Sequence, residues 1–130
     1  MKIDHIGYAV KRMDRALKSF EEIGFVFDSV VDDLDRNVQL AFGTKDGYRI
    51  ELVCPLDRKQ ISPVDHYLNN IAGTPYHICY QSDDFDNEII KLKQQGYKVI
   101  IDPKPAIAFG GKRVVFMMNI GFGLMEIVEA

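Results

Sequence analysis

The chain contains a long internal repeat. His5-Ile6-Gly7-Tyr8-Ala9-Val10 and His77-Ile78-Cys79-Tyr80-Gln81-Ser82 are strand-like runs that each open on a histidine, 72 residues apart. The same spacing relates Asp14 to Asp86, Gly24 to Gly96, and Phe25 to Tyr97. A unit of this size cannot bury its apolar side alone, so two copies are expected to pair and leave a cleft between them.

Residues 3–10 alternate as a strand does, with Ile3, His5, Gly7 and Ala9 on one face and Ile6, Tyr8 and Val10 on the other. Asp14 leads a helix whose apolar stripe is Ala16, Leu17, Phe20 and Ile23, closed by Gly24. Residues 25–31 are expected as a second strand. The acidic run 32–36 is expected as a solvated turn, and residues 38–42 and 48–53 as two strands joined by a glycine-containing hairpin. Residues 55–75 form a linker. Within it Ser62 caps a short helix with Pro63 in its first turn and Val64, Tyr67, Leu68 and Ile71 on one side. The second half repeats the order: a strand over 76–81, a helix over 86–95 with Ile89, Ile90 and Leu92 inward, a strand over 97–101, a Pro- and Gly-rich loop over 103–112, and strands over 113–118 and 124–129. Between the last strands the spacing becomes 75 residues, relating Glu51, Leu52 and Val53 to Glu126, Ile127 and Val128. The three added residues are expected between Gly96 and Arg113. The chain is therefore α+β: two tandem βαβββ modules, 1–54 and 76–130, in a single domain spanning 1–130.

Alternation turns this repeat into chemistry. Equivalent positions in equivalent strands project to the same side, so His5, His77, Glu51 and Glu126 are expected to converge. A glutamate inside an apolar strand is costly to bury without a partner. Two imidazoles and two carboxylates suit one divalent metal, whether zinc, nickel, cobalt, manganese or iron, and leave coordination positions open for water or substrate. His66 lies outside the repeat and is expected to be exposed.

Composition excludes several classes. A net charge of −3, with 16 Lys and Arg scattered among 19 acids, offers no basic face for nucleic acid. No apolar run is long enough to span a bilayer, and the first residues lack the pattern of a signal peptide, so a cytoplasmic protein is expected. Cys54 and Cys79 sit in apolar runs and are expected as buried, inert thiols.

The segments HIGYAV, IELVCPL, ISPVDHYL, YHICYQSDDFDNEIIKLKQQGYKV, FGGKRVVFM and LMEIVE together resemble the vicinal oxygen chelate superfamily of glyoxalase-like metalloenzymes. Within it the chain is most similar to the methylmalonyl-CoA epimerase branch, through its Glu-Leu-x-x-Pro-Leu run, its Ser-Pro with a short helix, and its His-Ile-Cys strand. The resemblance implies a U-shaped mixed sheet around a central metal cleft, with His5, Glu51, His77 and Glu126 as ligands. It implies an isomerase, epimerase or lyase acting by proton abstraction beside a metal-bound carbonyl, with Glu126 as the first candidate base and Glu51 as the second. The implied substrate is a small molecule such as an acyl thioester, and relatives often form homodimers. Glyoxalase I, the lactoylglutathione lyase, shares a similar ligand set and is the alternative. Against it, the Asp-Pro-x-Gly turn of many glyoxalases is missing, and the chain has Asn119-Ile120-Gly121-Phe122-Gly123 instead.

Two further classes occur on this fold. One is a non-haem iron dioxygenase built on His5, His77 and Glu126 alone; the other is a metal-free ligand-binding resistance protein, against which the intact quartet counts. Bacterial epimerases of this kind also carry a second, non-ligand glutamate for proton transfer, and the aligned position is Gln39, whose amide cannot act as a base. The loop 108–113 is expected at the cleft rim, with Lys112 and Arg113 available to anionic groups. Phe42, Phe109, Met117 and Met118 are candidates to line an apolar pocket.

Overall fold

The computed structural model describes residues 1–130, which form nine strands and two helices in an α+β arrangement of mixed parallel and antiparallel pairing. They divide into two compact units, residues 5–76 and residues 1–4 with 77–130.

In the unit 5–76, β1 (Lys2–Val10) leads to α1 (Met13–Glu22), then to β2 (Val26–Phe27), β3 (Val31–Asp33), β4 (Val38–Lys45) and β5 (Tyr48–Pro55). β5 runs parallel to β1, with Gly7 beside Glu51, and antiparallel to β4, with Phe42 opposite Glu51. Both β2 and β3 pair with β4. One face of these strands packs on α1: Val10, Met13, Ala41, Ile50, Leu52 and Cys54 form the buried cluster, with Ala16, Leu17, Phe20 and Phe27 against it. By alternation the other face carries His5, Gly7, Ala9, Leu40, Phe42, Glu51 and Val53. The β4–β5 hairpin closes through Asp46-Gly47, both at positive φ (53° and 82°), between paired Lys45 and Tyr48. This is the two-residue turn whose twist matches that of the strands, and it accounts for an Asp-Gly pair there.

Three local expectations need correction. The strand expected over 25–31 is two short strands, because the chain leaves the β4 ladder after Asp28 N donates to Phe42 O and rejoins at Val31. The acidic run is not all solvated. Asp33 lies in β3 and is buried, and its carboxylate accepts bonds from the backbone N–H and guanidinium of Arg36, both at 3.1 Å. The helix stripes also shift. α1 ends before Ile23, which is exposed, and Met13 supplies the buried end of the stripe.

The connection from β5 is pinned by Asn37. Its amide oxygen accepts from Asp57 N (2.8 Å), and its amide nitrogen lies within 3.3 Å of the carbonyls of Asp57, Gln60 and Ile61. Ser62 does not cap the helix as expected: its hydroxyl accepts from Val64 N at 3.2 Å, and Val64 is itself the N-cap of a single 3-10 turn over Asp65–Leu68. Val64 and Leu68 are buried, while Ile71 is exposed. The linker ends earlier than expected, because the next strand already begins at Gly73.

The second unit holds β6 (Gly73–Ser82, from His77 onward), α2 (Phe85–Gln94), β7 (Lys98–Pro105), β8 (Arg113–Asn119) and β9 (Gly123–Glu129). β9 is parallel to β6, with Cys79 beside Glu126, and antiparallel to β8, with Phe116 opposite Glu126. α2 packs Phe85, Ile89 and Leu92 onto Val115, Met117, Met125 and Ile127. Ile90 falls off that stripe and is exposed. β7 carries two register shifts and two prolines. Bulges and prolines oppose strand-to-strand addition, the route by which an open edge would promote assembly.

The pairing registers also relocate the added residues. The hairpin after β4 has two loop residues, whereas that after β8 has three, Ile120 to Phe122. One of the three added residues therefore lies in the last hairpin and two precede β8. No helix is long and apolar enough to cross a membrane.

Gly43 lies under the Phe27 ring, and a Cβ there would meet Phe27 Cδ1 at 2.6 Å. Gly43→Ala is expected to destabilise the fold by about 1–3 kcal/mol through this overpacking. Equilibrium denaturant unfolding checks it, and a variant as stable as the parent would show that β2 yields freely.

Candidate metal centre and its surroundings

Each unit presents one histidine and one glutamate by the same device. In the first, β1 and β5 run in parallel with Gly7 beside Glu51, so His5, two residues earlier on the same face, is brought next to the carboxylate. His5 Nε2 stands 3.7 Å from Glu51 Oε1. In the second, the parallel pair β6 and β9 sets Cys79 beside Glu126, and His77 Nε2 stands 3.0 Å from Glu126 Oε2. All four residues are at most 4% exposed. Burial of a carboxylate at this depth requires a compensating positive charge or several donors.

An aromatic ring backs each histidine. Phe42 meets the His5 ring edge-to-face at 5.3 Å between centroids, and Phe116 meets the His77 ring in the same way at 5.3 Å. Phe42 is opposite Glu51 and Phe116 opposite Glu126, so one phenylalanine per unit touches the histidine and flanks the glutamate. Sequence reasoning missed Phe116, although a spacing of 74, offset by one from that of the glutamates, was the available signal. It also missed Arg49, two residues before Glu51 on the same face, whose guanidinium carbon lies 4.0 Å from the Phe42 ring centroid.

The donor types fit a divalent ion. Two donors bound at about 2.0–2.1 Å from one ion stand roughly 2.8–3.4 Å apart for angles between 90° and tetrahedral. The His77–Glu126 separation falls in that range and the His5–Glu51 separation lies just outside it.

Other sequence candidates resolve differently. Gln39 pairs with Cys54, on the α1 side of the strands, and its amide donates to Asp32 Oδ1 at 3.0 Å. It is turned away from Glu51. On the Glu51 face the neighbouring β4 residue is Leu40, opposite Val53, so β4 contributes no carboxylate there. Met117 is fully buried against α2 rather than lining the Glu126 face. Phe109 packs on Cys79, Ala106, Val114 and Val128, which do belong to that face, and Met118 lies at its exposed end. His66 is exposed. Both cysteines are buried and outside any disulfide; burial pushes the Cys54 thiol pKa up, away from reactivity.

The loop 106–112 is closed by backbone bonds from Ala106 N to Lys112 O and from Gly111 N to Ala106 O, both 3.0 Å. Arg113 does not wait for an anion. It forks onto Asp86 at 3.0 Å through both terminal nitrogens, bonds Glu129 at 2.8 and 3.2 Å, and covers the Phe85 ring at 4.8 Å. It clamps α2 to the β8–β9 ladder. Lys112 is exposed.

The profile of the glyoxalase/bleomycin resistance protein/dioxygenase superfamily matches residues 4–116. Over 118 residues the chain is 30% identical to the ethylmalonyl-CoA/methylmalonyl-CoA epimerase of Cereibacter sphaeroides, covering 89% of this chain and 87% of the other. It is 29% identical over 118 residues to the mitochondrial methylmalonyl-CoA epimerase of Dictyostelium discoideum, covering 89% and 69%. The fold matches the crystal structure of methylmalonyl-CoA epimerase from Mycobacterium tuberculosis with a TM-score of 0.83 at 23% identity, over 98% of this chain and 87% of that one.

The Arg113 clamp carries a pH signature. Its hydrogen bonds hold the Glu129 carboxyl below the ordinary carboxylate range. A depressed carboxylate stabilises the fold above its unfolded pKa, about 4.3, and loses that contribution as pH falls through the folded value. Glu129→Gln is therefore expected to melt below the parent at pH 7, with the gap closing under acid. Thermal melts across pH check it, and a gap that persists unchanged to pH 2 would remove the clamp's electrostatic role.

Proposed function

The chain belongs to the glyoxalase/bleomycin resistance protein/dioxygenase superfamily, and on that premise we propose that it is a metal-dependent epimerase of α-carboxyl acyl thioesters such as methylmalonyl-CoA. The carrying observation is the buried His/Glu pair, built twice on equivalent parallel strand pairs, in a chain 30% identical to an ethylmalonyl-CoA/methylmalonyl-CoA epimerase. We further propose that residues 1–130 act as one domain and that His5, Glu51, His77 and Glu126 together hold one divalent ion, for which their types and shared burial suit them. Neither pair alone offers more than two ligands.

A bound divalent ion would supply Lewis-acid polarisation of a substrate carbonyl. The chain's own part is to take a proton from the adjacent carbon and return it on the other face. On the strand faces bearing the histidines, β4, β5, β8 and β9 supply Val38, Leu40, Phe42, Val53, Val114, Phe116 and Val128 together with the cation Arg49, none of them a base, and the carboxylate that β3 adds, Asp33, is held by Arg36. Gln39 is on the wrong face and is an amide. The base is thus Glu126, with Glu51 as the second carboxylate able to carry the proton.

Exchange of the α-hydrogen of methylmalonyl-CoA for solvent deuterium is the direct test. The parent is expected to exchange it and to leave the glutathione hemithioacetal of methylglyoxal untouched. Exchange into the hemithioacetal alone would make the chain a lactoylglutathione lyase. Glu126→Gln is expected to slow exchange by about 10²–10⁴-fold, the usual contribution of a positioned acid–base group. Full activity in that variant would remove Glu126 as the base.

A further inference from the structure

We infer that Phe42 and Phe116 are positioning residues, each holding the imidazole of its own unit's histidine in the orientation that presents Nε2 to the ion. The inference rests on the ligand role proposed above for His5 and His77 and adds what keeps those rings in place.

The torsion that turns an imidazole about its stem is soft, with broad two-fold wells. A strand therefore fixes where the ring starts but not where its nitrogens point. In each unit a phenylalanine ring packs on the imidazole. The Phe42 and His5 ring centroids are 5.3 Å apart with planes at 77°, and those of Phe116 and His77 are 5.3 Å apart with planes at 89°. Both contacts have the favoured T-shaped geometry, which is lost when either ring turns.

Reach explains why the residue is aromatic. Phe42 lies on β4 and His5 on β1, with β5 between them; Phe116 lies on β8 and His77 on β6, with β9 between them. Each phenylalanine thus spans the glutamate-bearing strand, a backbone separation of roughly 9–10 Å. A branched aliphatic side chain ends short of the imidazole. The repeat supplies an independent argument. Phe42 is the sole aromatic of β4 and Phe116 that of β8, and each stands opposite its unit's glutamate, although the two strands otherwise share little sequence. Core filling alone requires no such coincidence, since the same faces elsewhere carry Val38, Leu40, Val114 and Met118.

Competition for zinc against a chromophoric chelator reads metal affinity without substrate or turnover. Phe116→Leu is expected to lower that affinity at least about tenfold, the scale on which outer contacts of ligand histidines act. Phe116→Tyr keeps the ring and is expected to stay within about threefold of the parent. Val115→Ala is the control for stability alone, because Val115 is fully buried on the α2 side of the same strand. It is expected to lower the melting temperature and leave zinc affinity unchanged. Undiminished affinity in Phe116→Leu overturns the inference, and so does an equal loss in Val115→Ala, which would reduce Phe116 to support of the fold. If Phe116→Leu does not fold, Phe42→Leu decides by the same criterion in the other unit. A parent that holds no zinc overturns the ligand role itself and the inference with it.

Discussion

A buried imidazole facing a buried carboxylate is the interaction on which the rest of the structure depends. An ionised glutamate removed from water costs several kcal/mol unless it is compensated, and this chain does so twice, with Glu51 and Glu126. The parallel pairings of β1 with β5 and of β6 with β9 are what make this affordable, since each sets the histidine and glutamate on one face within 4 Å. Parallel strands need a long crossover. The helix and antiparallel strands of each unit provide it, and α1 and α2 cover the opposite face with apolar clusters. Each unit thus presents one histidine and one glutamate, side chains of metal-ligating type, from a sheet whose other face is a conventional core.

The environment of those side chains favours proton transfer at carbon. Phenylalanine edges orient both histidines, and aliphatic side chains fill the neighbouring positions. With Gln39 turned toward Asp32 on the far face, the proposed chemistry relies on the carboxylates of the ligand set itself. That is a narrower arrangement than one with a dedicated base, and it makes the charge state of Glu126 central to both metal retention and catalysis.

Much of this was legible in the sequence because repeat and alternation are strong signals. The spacing of 72 found His5 and His77, the spacing of 75 found Glu51 and Glu126, and period-two alternation assigned their faces. Less legible were features set by tertiary contact. Asp33 reads as a loop acid but is buried by Arg36, and Arg113 reads as a free cation but is spent on Asp86 and Glu129. Ile23 fits a helical stripe only while the helix end is unknown by a residue or two, whereas Ile90 lies mid-helix and falls beside the stripe of Phe85, Ile89 and Leu92. Gln39 shows the sharpest limit, because alignment across a turn of uncertain length moves a strand residue by one position and so to the other face.

The central claim is that the two pairs act as one centre, each half supplying two ligands. Metal stoichiometry in His5→Ala and His77→Ala, measured on folded protein by elemental analysis, tests it most directly. One divalent ion per chain in the parent, and loss of that ion in either variant alone, is the predicted result. Two ions in the parent with one retained in each variant, or one ion undiminished in both, would contradict it.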